Sequence, residues 1–196
     1  GMMAALMQPF QPLLVKFGGN SELKYVAAAE SAGISHALVG EILFSGLYLN
    51  ELLMRLLPKF DAVPALFAAY GDAIEVISTS ADPELTLRRF ELLLLEELGY
   101  EIEWRHDFDE HPIQQAAYYA YQPERGFVPS QEGGNSLVVS GVQLRSLANW
   151  QRSGCVIDEI CQSKLKGIMR LAIDQRLGGR PLKVREAVSE WRQLRE

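Results

Sequence analysis

Residues 37–57 read ALVGEILFSGLYLNELLMRLL and are followed by Pro58. The run is apolar nearly all round, which predicts a central helix buried on most sides and ended by a proline that cannot continue it. Its length would span a bilayer, but Glu41, Asn50, Glu51 and Arg55 interrupt it. Each of these is unfavourable in hydrocarbon by roughly 2–3 kcal/mol if charged and central. Within a protein, Glu51 and Arg55 stand four apart and pair on whatever face stays wet. A helix this apolar needs partners, and two follow. Residues 63–77 form the first. The second is punctuated by Asp82 as N-cap, Pro83 in its first turn and Gly99 as its stop. Leu85, Phe90 and residues 92–95 supply its buried stripe. Three helices with short connections predict a bundle-like core.

On the N-terminal side, residues 10–17 and 22–29 flank the turn Gly18-Gly19-Asn20-Ser21 and read as a β-hairpin. A lone hairpin is marginal in water, so it must lean on helices or belong to a larger β unit. On the C-terminal side, residues 101–136 are non-helical, with a short hairpin from Tyr118-Tyr119-Ala120-Tyr121 through Pro123-Glu124-Arg125-Gly126 to Phe127-Val128. Ser140 caps a helix reaching Trp150, residues 155–177 form a longer one ended by Gly178-Gly179, and a last helix starts near Val184. The fold class is mainly α (α+β), with a hairpin before a helical domain at 31–196.

Composition agrees. The chain has 196 residues, 48% hydrophobic and 22% charged, which is globular and excludes a disordered tail or coiled rod. Two cysteines cannot make a disulfide framework, so burial must hold the core, as in a reducing compartment. No basic segment precedes an apolar core at the start, and Pro9 and Pro12 break the stretch there, so no secretory signal is read and a cytoplasmic location is expected. Net charge is −6, yet it is divided. Residues 145–196 hold 11 basic and 6 acidic side chains, net +5, and those before them 8 and 19, net −11.

Candidate chemistry is sparse. His106-Asp107-Phe108-Asp109-Glu110-His111 holds metal-ligating types, but histidines five apart on a helix point about 140° from each other, and a solvated acidic loop is the better reading. Cys155 and Cys161, six apart on the expected helix, differ in direction by about 240° and share no face. No nucleophile elbow, phosphate loop or dinucleotide fingerprint occurs. No catalytic residue, metal site or cofactor is expected. Two features remain. Arg88-Arg89 interrupts an apolar helix, read either as a surface salt-bridge network of Arg88 with Glu84 and Glu91 or as a cationic rim beside an apolar groove for an acidic peptide. The other is the basic set Lys164, Lys166, Arg170, Arg176, Arg180, Lys183 and Arg185. Arg180 and Lys183 lie near a helix N-terminus, where cations oppose the dipole; that misfit suits a phosphate-facing role as much as a solvated basic face.

Four stretches in order carry a family likeness: residues 6–14 (LMQPFQPLL), 45–53 (SGLYLNELL), Leu87-Arg88-Arg89-Phe90-Glu91 with Leu98-Gly99-Tyr100, and 177–183 (LGGRPLK). Over about residues 5–192 the chain resembles the RecO family of bacterial DNA repair and recombination mediators. The resemblance implies that residues 1–30 are the closing strands of an incomplete OB-fold, in an N-terminally shortened chain whose open barrel edge could be covered by self-association with a second copy. It implies the zinc-free branch, since Trp104 to His111 stand where relatives carry four cysteines. Val184 replaces a common serine, removing a natural N-cap from the last helix.

The implied function is that of a non-enzymatic mediator in the cytoplasm, associated with the nucleoid. Such a protein binds and anneals single-stranded DNA, works with RecR, and docks on the acidic C-terminal tail of the single-stranded-DNA-binding protein. Arg88 is the expected contact for that tail's carboxylate, with Leu92 one turn on as pocket wall. Lys164, Lys166, Arg170, Arg176, Arg180 and Lys183 are the DNA-binding candidates. The competing readings are a helical protein–protein adaptor without DNA binding and a metal-dependent hydrolase built on the histidine loop.

Overall fold

The computed structural model describes residues 6–80, 82–133 and 137–194; the first five residues of the stretch read as lacking a secretory signal lie outside these. Two strands, β1 (Leu13–Gly18) and β2 (Tyr25–Ser31), precede three helices, α1 (Glu41–Leu56), α2 (Pro64–Thr79) and α3 (Glu84–Glu97). A small sheet follows, β3 (Tyr118–Gln122), β4 (Gly126–Ser130) and β5 (Val138–Ser140), and then α4 (Gly141–Ser153), α5 (Glu159–Arg176) and α6 (Lys183–Gln193). The fold is α+β, dominated by helix.

The helices take shape where their local signals place them. Of α1 only Glu41 and Met54 are exposed, as its all-round apolar pattern requires. The start of α3 moves by one residue, with Pro83 at the N-cap in place of Asp82, which accepts the Glu84 N–H at 3.0 Å from just before it; α3 ends in a Schellman motif. There Gly99, at φ 79°, donates to Glu96 and Tyr100 donates to Leu95, so the last carbonyls are satisfied at a glycine free to be left-handed. Ser140 and Gln143 close a capping box on α4. Two further points differ from the sequence reading. The long helix starts at Glu159 rather than residue 155, because the Asp158 carboxylate accepts the Cys161 N–H at 2.7 Å and sets the first turn there. Cys155 is therefore outside the helix and exposed, while Cys161 is buried. Strand β5 has no sequence signal, since three residues are too few to show an alternation. It pairs with the far side of β3, giving the order β4-β3-β5.

Two hydrophobic cores result, with α3 and α5 as the partition. Phe90 and Leu94 of α3, with Ile173 of α5, face the core built on α1 and α2. Leu92 and Leu95, with Leu165, Ile168 and Met169, face the one that holds Trp104, Phe127 and Trp150. The β1–β2 hairpin pairs along its length with a register shift at Lys16/Phe17 and begins three residues later than its composition suggests. Phe10 joins it to the helices. A Cβ on Gly46 would lie 2.7 Å from the Phe10 ring and 2.5 Å from Leu38, so α1 can meet that side chain only at a glycine.

Helix α6 is attached differently. It contributes no fully buried residue, and its N-cap, Leu182, offers no side-chain hydrogen bond. Val184 is thus the second helical residue, not the cap, and the cap comes from another helix. Glu51 of α1 accepts the Lys183 and Val184 N–H groups, one on each oxygen, both at 2.9 Å. Arg55 pairs with Glu51 at 3.2 Å and donates to the carbonyls of Pro181 at 2.6 Å and Arg180 at 3.2 Å. The pair expected on a wet face is in fact a main-chain clamp on the α5–α6 turn. Although burial opposes it, hydrogen bonding from Val184, Lys183 and Arg55 holds the Glu51 carboxyl below its ordinary pKa.

Two predictions follow from this packing. A Cβ at Gly141 would sit 2.0 Å from the Gln114 carbonyl oxygen, whereas one at Gly71, inside α2, meets nothing within 4 Å. Gly141→Ala should therefore destabilise by about 1–3 kcal/mol through overpacking, and Gly71→Ala should stabilise by about 0.5–1 kcal/mol through helix propensity, both read as thermal midpoints. Glu51 has a folded pKa below its unfolded one, so its stabilisation is complete above the unfolded value and is lost as pH falls through the folded one. Urea titrations of parent and Glu51→Gln should differ most above the ordinary glutamate pKa of about 4.3 and converge only as pH falls through the lower folded value.

Candidate functional site

Helices α1, α5 and α6 and the first turns of α3 enclose a groove of about 700 Å³. Its floor is polar and buried. The Tyr48 hydroxyl donates to Glu91 Oε1 at 2.6 Å, and Arg88 Nη2 meets the same oxygen at 2.9 Å. Glu91 is 0% exposed and Arg88 7%; Glu91 Oε2 and Arg88 Nε have no hydrogen-bond partner. Burial raises the Glu91 pKa against the lowering effect of Arg88 and Tyr48, and burial followed by the Glu91 charge pushes the Tyr48 phenol far up. Neighbouring helices bring these groups together. Tyr48 lies on the buried side of α1, and Arg88 and Glu91 stand three apart on α3, so they share a face. The salt-bridge reading of Arg88 was right about Glu91 and wrong about the surface, because the pair lies under α1. Glu84 is taken instead by Lys166, at 3.1 Å.

The walls combine apolar and cationic side chains. Leu87, Phe44 and Val188 line the groove, as do Lys166, Arg170, Arg185 and Arg192. Leu92 does not reach it. One turn beyond Arg88, it is buried in the other core at 6% exposure, because α3 serves both cores and its faces diverge within a turn; Leu87 supplies the wall. Arg89 also turns away and lies over the Trp150 ring at 5.0 Å.

The structure disperses the basic candidates. Lys166 and Arg170, four apart on α5, line the groove. Arg180 lines a neighbouring basin of about 410 Å³ that shares Arg170 and Arg185 with the groove. Lys183 is exposed at the start of α6. Lys164 sits two residues from Lys166, about 200° around α5, and is half-buried. Arg176 stacks on Tyr100 at 3.7 Å, by a different pocket. No single face carries all six. Arg192 was missed, although it lies seven residues after Arg185, a spacing that returns to the same side of a helix.

Each groove cation is balanced. Arg192 meets Glu41 at 3.4 Å, and Arg170 and Arg185 both reach Asp174. Exposed pairs of this kind contribute about 0–1 kcal/mol, so an incoming carboxylate can exchange with them at little expense, whereas the buried Arg88–Glu91 pair is fixed. In the histidine loop, Asp107 accepts the N–H groups of Asp109 and His111 and shapes the turn. Among the described residues no group of three metal-ligating side chains is gathered. No helix there is long and apolar enough to cross a membrane.

Residues 40–186 match the family model described as Recombination protein O C terminal. The chain is 43% identical over 188 residues to the DNA repair protein RecO of Pseudomonas paraeruginosa, covering 95% of this chain and 78% of that protein. It is 42% identical to that of Stutzerimonas stutzeri, covering 95% and 77%. With the RecO of Halorhodospira halophila it shares 38% over 190 residues, covering 97% and 79%. With the family model matched over residues 40–186 and relatives this similar over nearly all of its own length, the chain belongs to the RecO family.

Proposed function

We propose that this protein acts in DNA repair and recombination as a docking platform, binding partners rather than making or breaking bonds. The groove is the docking site, and its occupant is the acidic C-terminal tail of the single-stranded-DNA-binding protein. The observation that carries this reading is the position of Arg88, a guanidinium 7% exposed at the floor of a groove with apolar and cationic walls. A carboxylate meeting a partly desolvated guanidinium forms a stronger pair than one in water. Leu87, Phe44 and Val188 suit the apolar residue before that carboxylate, and the exchangeable pairs of Lys166, Arg170 and Arg192 suit the acidic residues upstream.

Single-stranded DNA and RecR are the further proposed partners. Lys166, Arg170, Arg180 and Lys183 are the cations best placed for phosphates, with Lys164 and Arg176 on other faces. The hairpin, in this reading, belongs to the OB-like unit of residues 1–30. An adaptor without DNA binding is the second reading, favoured by the fact that Lys166, Arg170, Arg185 and Arg192 each have a carboxylate nearby.

Arg88→Ala should weaken binding of a synthetic acidic peptide with an apolar C-terminal residue at least tenfold, measured by fluorescence anisotropy; an unchanged affinity removes Arg88 from the site. Tyr48→Phe strips one hydrogen bond from a buried carboxylate and should destabilise by about 1–3 kcal/mol in urea titration. DNA binding should fall steeply between about 50 and 200 mM salt if several phosphates are neutralised. Should the triple variant Lys166→Ala, Arg170→Ala, Arg180→Ala bind single strands with the parent's affinity and salt slope, these cations are not the DNA surface.

A further inference from the structure

We propose that Glu51 and Arg55 are positioning residues of the groove. Acting only on main-chain atoms, they hold α6 in the pose that places Arg185, Val188 and Arg192 on the groove wall. The inference rests on the groove being the docking site, and it adds two residues further along the same side of α1, one and two turns beyond Tyr48 and outside the groove lining.

The case starts from what α6 lacks. It buries none of its own residues fully, and its N-cap has no side-chain bond. Its other ties run through side chains: Val184 packs against the core of α1 and α2, and Arg185 lies over the Tyr48 ring at 5.8 Å. Trp191 meets Phe44 edge-on at 5.6 Å, Arg192 meets Glu41 through side chains both more than half exposed, and Arg185 reaches Asp174. Against these stand four hydrogen bonds between the Glu51–Arg55 pair and the chain from Arg180 to Val184. Two are charge-assisted bonds from helix N–H groups to a carboxylate, at the end where the dipole favours an anion. Arg55 takes up the carbonyls just upstream, so donors and acceptors of the turn are both engaged.

The clamp also sets register. Arg185 is the residue after Val184, whose N–H rests on Glu51. A slip of one residue at the clamp would turn Arg185, Val188 and Arg192 by about 100°, carrying them off the wall. Because the contacts are to main chain, the turn's side chains are free of this duty, and the burden falls on Glu51 and Arg55.

The test uses the full chain with Glu51→Gln, Glu51→Ala, Arg55→Ala and, as a control, Arg88→Ala. Amide hydrogen exchange is read without peptide. Affinity is read with a synthetic peptide of acidic residues ending in phenylalanine with a free carboxylate, well below the thermal transition. In Glu51→Ala the Lys183 and Val184 amides should exchange at least tenfold faster while those of α2 keep the parent's rates. The peptide should bind about five- to tenfold more weakly, as the loss of a helix cap implies. Glu51→Gln should fall between Ala and parent, and Arg55→Ala, which leaves the N–H bonds, should move both readouts in the same direction by less. A contact that only stabilised the fold would lower the thermal midpoint and leave the affinity of the folded protein unchanged. The proposal is overturned by parent-like exchange at 183–184 in Glu51→Ala, or by faster exchange with undiminished affinity. Undiminished affinity in Arg88→Ala would instead overturn the docking reading, and with it the functional half of this proposal, whatever the exchange shows.

Discussion

A carboxylate with no exposure to water is the constraint around which the rest is arranged. Glu91 sits between α1 and α3, and an isolated charge there would be untenable. It is tolerated because Arg88 and Tyr48 converge on one of its oxygens. The Tyr48 bond ties the central helix to the partition helix, and the Arg88 bond, made within α3, holds the guanidinium at the groove floor. Replacing such a network by apolar residues is often neutral or stabilising in other proteins, so stability alone is a weak reason for its presence. Its consequence is placement, in that a buried guanidinium is held against Glu91 at the groove floor.

The groove above it joins two kinds of electrostatics. At the floor, burial makes the Arg88–Glu91 interaction strong and insensitive to salt. On the walls, Lys166, Arg170 and Arg192 pair with carboxylates that water screens, and such pairs re-form readily with other anions. A fixed anchor beside exchangeable cations suits an acidic chain end, which needs one oriented contact and several loose ones. The wall is made by α6, a helix with no fully buried residue of its own, which meets α1 both through packing and through the main-chain bonds of Glu51 and Arg55.

Much of this fold was legible in the chain. The all-round apolar run of residues 37–57, Pro58, the Asp82-Pro83 start and the Gly99 stop are local signals, and local hydrogen bonding and sterics decide them without reference to distant residues. The same holds for Ser140 with Gln143. Errors arose where a local signal was ambiguous or too short. Asp158 outcompeted Cys155 as the helix start, and three residues of β5 could not announce a strand whose partner, β3, lies twenty residues away.

By itself, then, the sequence determined the helices, the ends that carry local caps and stops, and the cationic character of Arg88, because each follows from contacts within a few residues. Only tertiary structure decided which way each charge faces. Arg88 and Leu92 share a helical face by spacing, yet one lines the groove and the other enters the opposite core, since α3 is packed on both sides. Lys166 and Arg170 share a groove with Arg185 and Arg192 only because tertiary packing sets α6 against α1 beside α5. Glu51 caps a helix more than a hundred residues away, and no periodicity can announce a bond between main-chain groups and a side chain so distant along the chain.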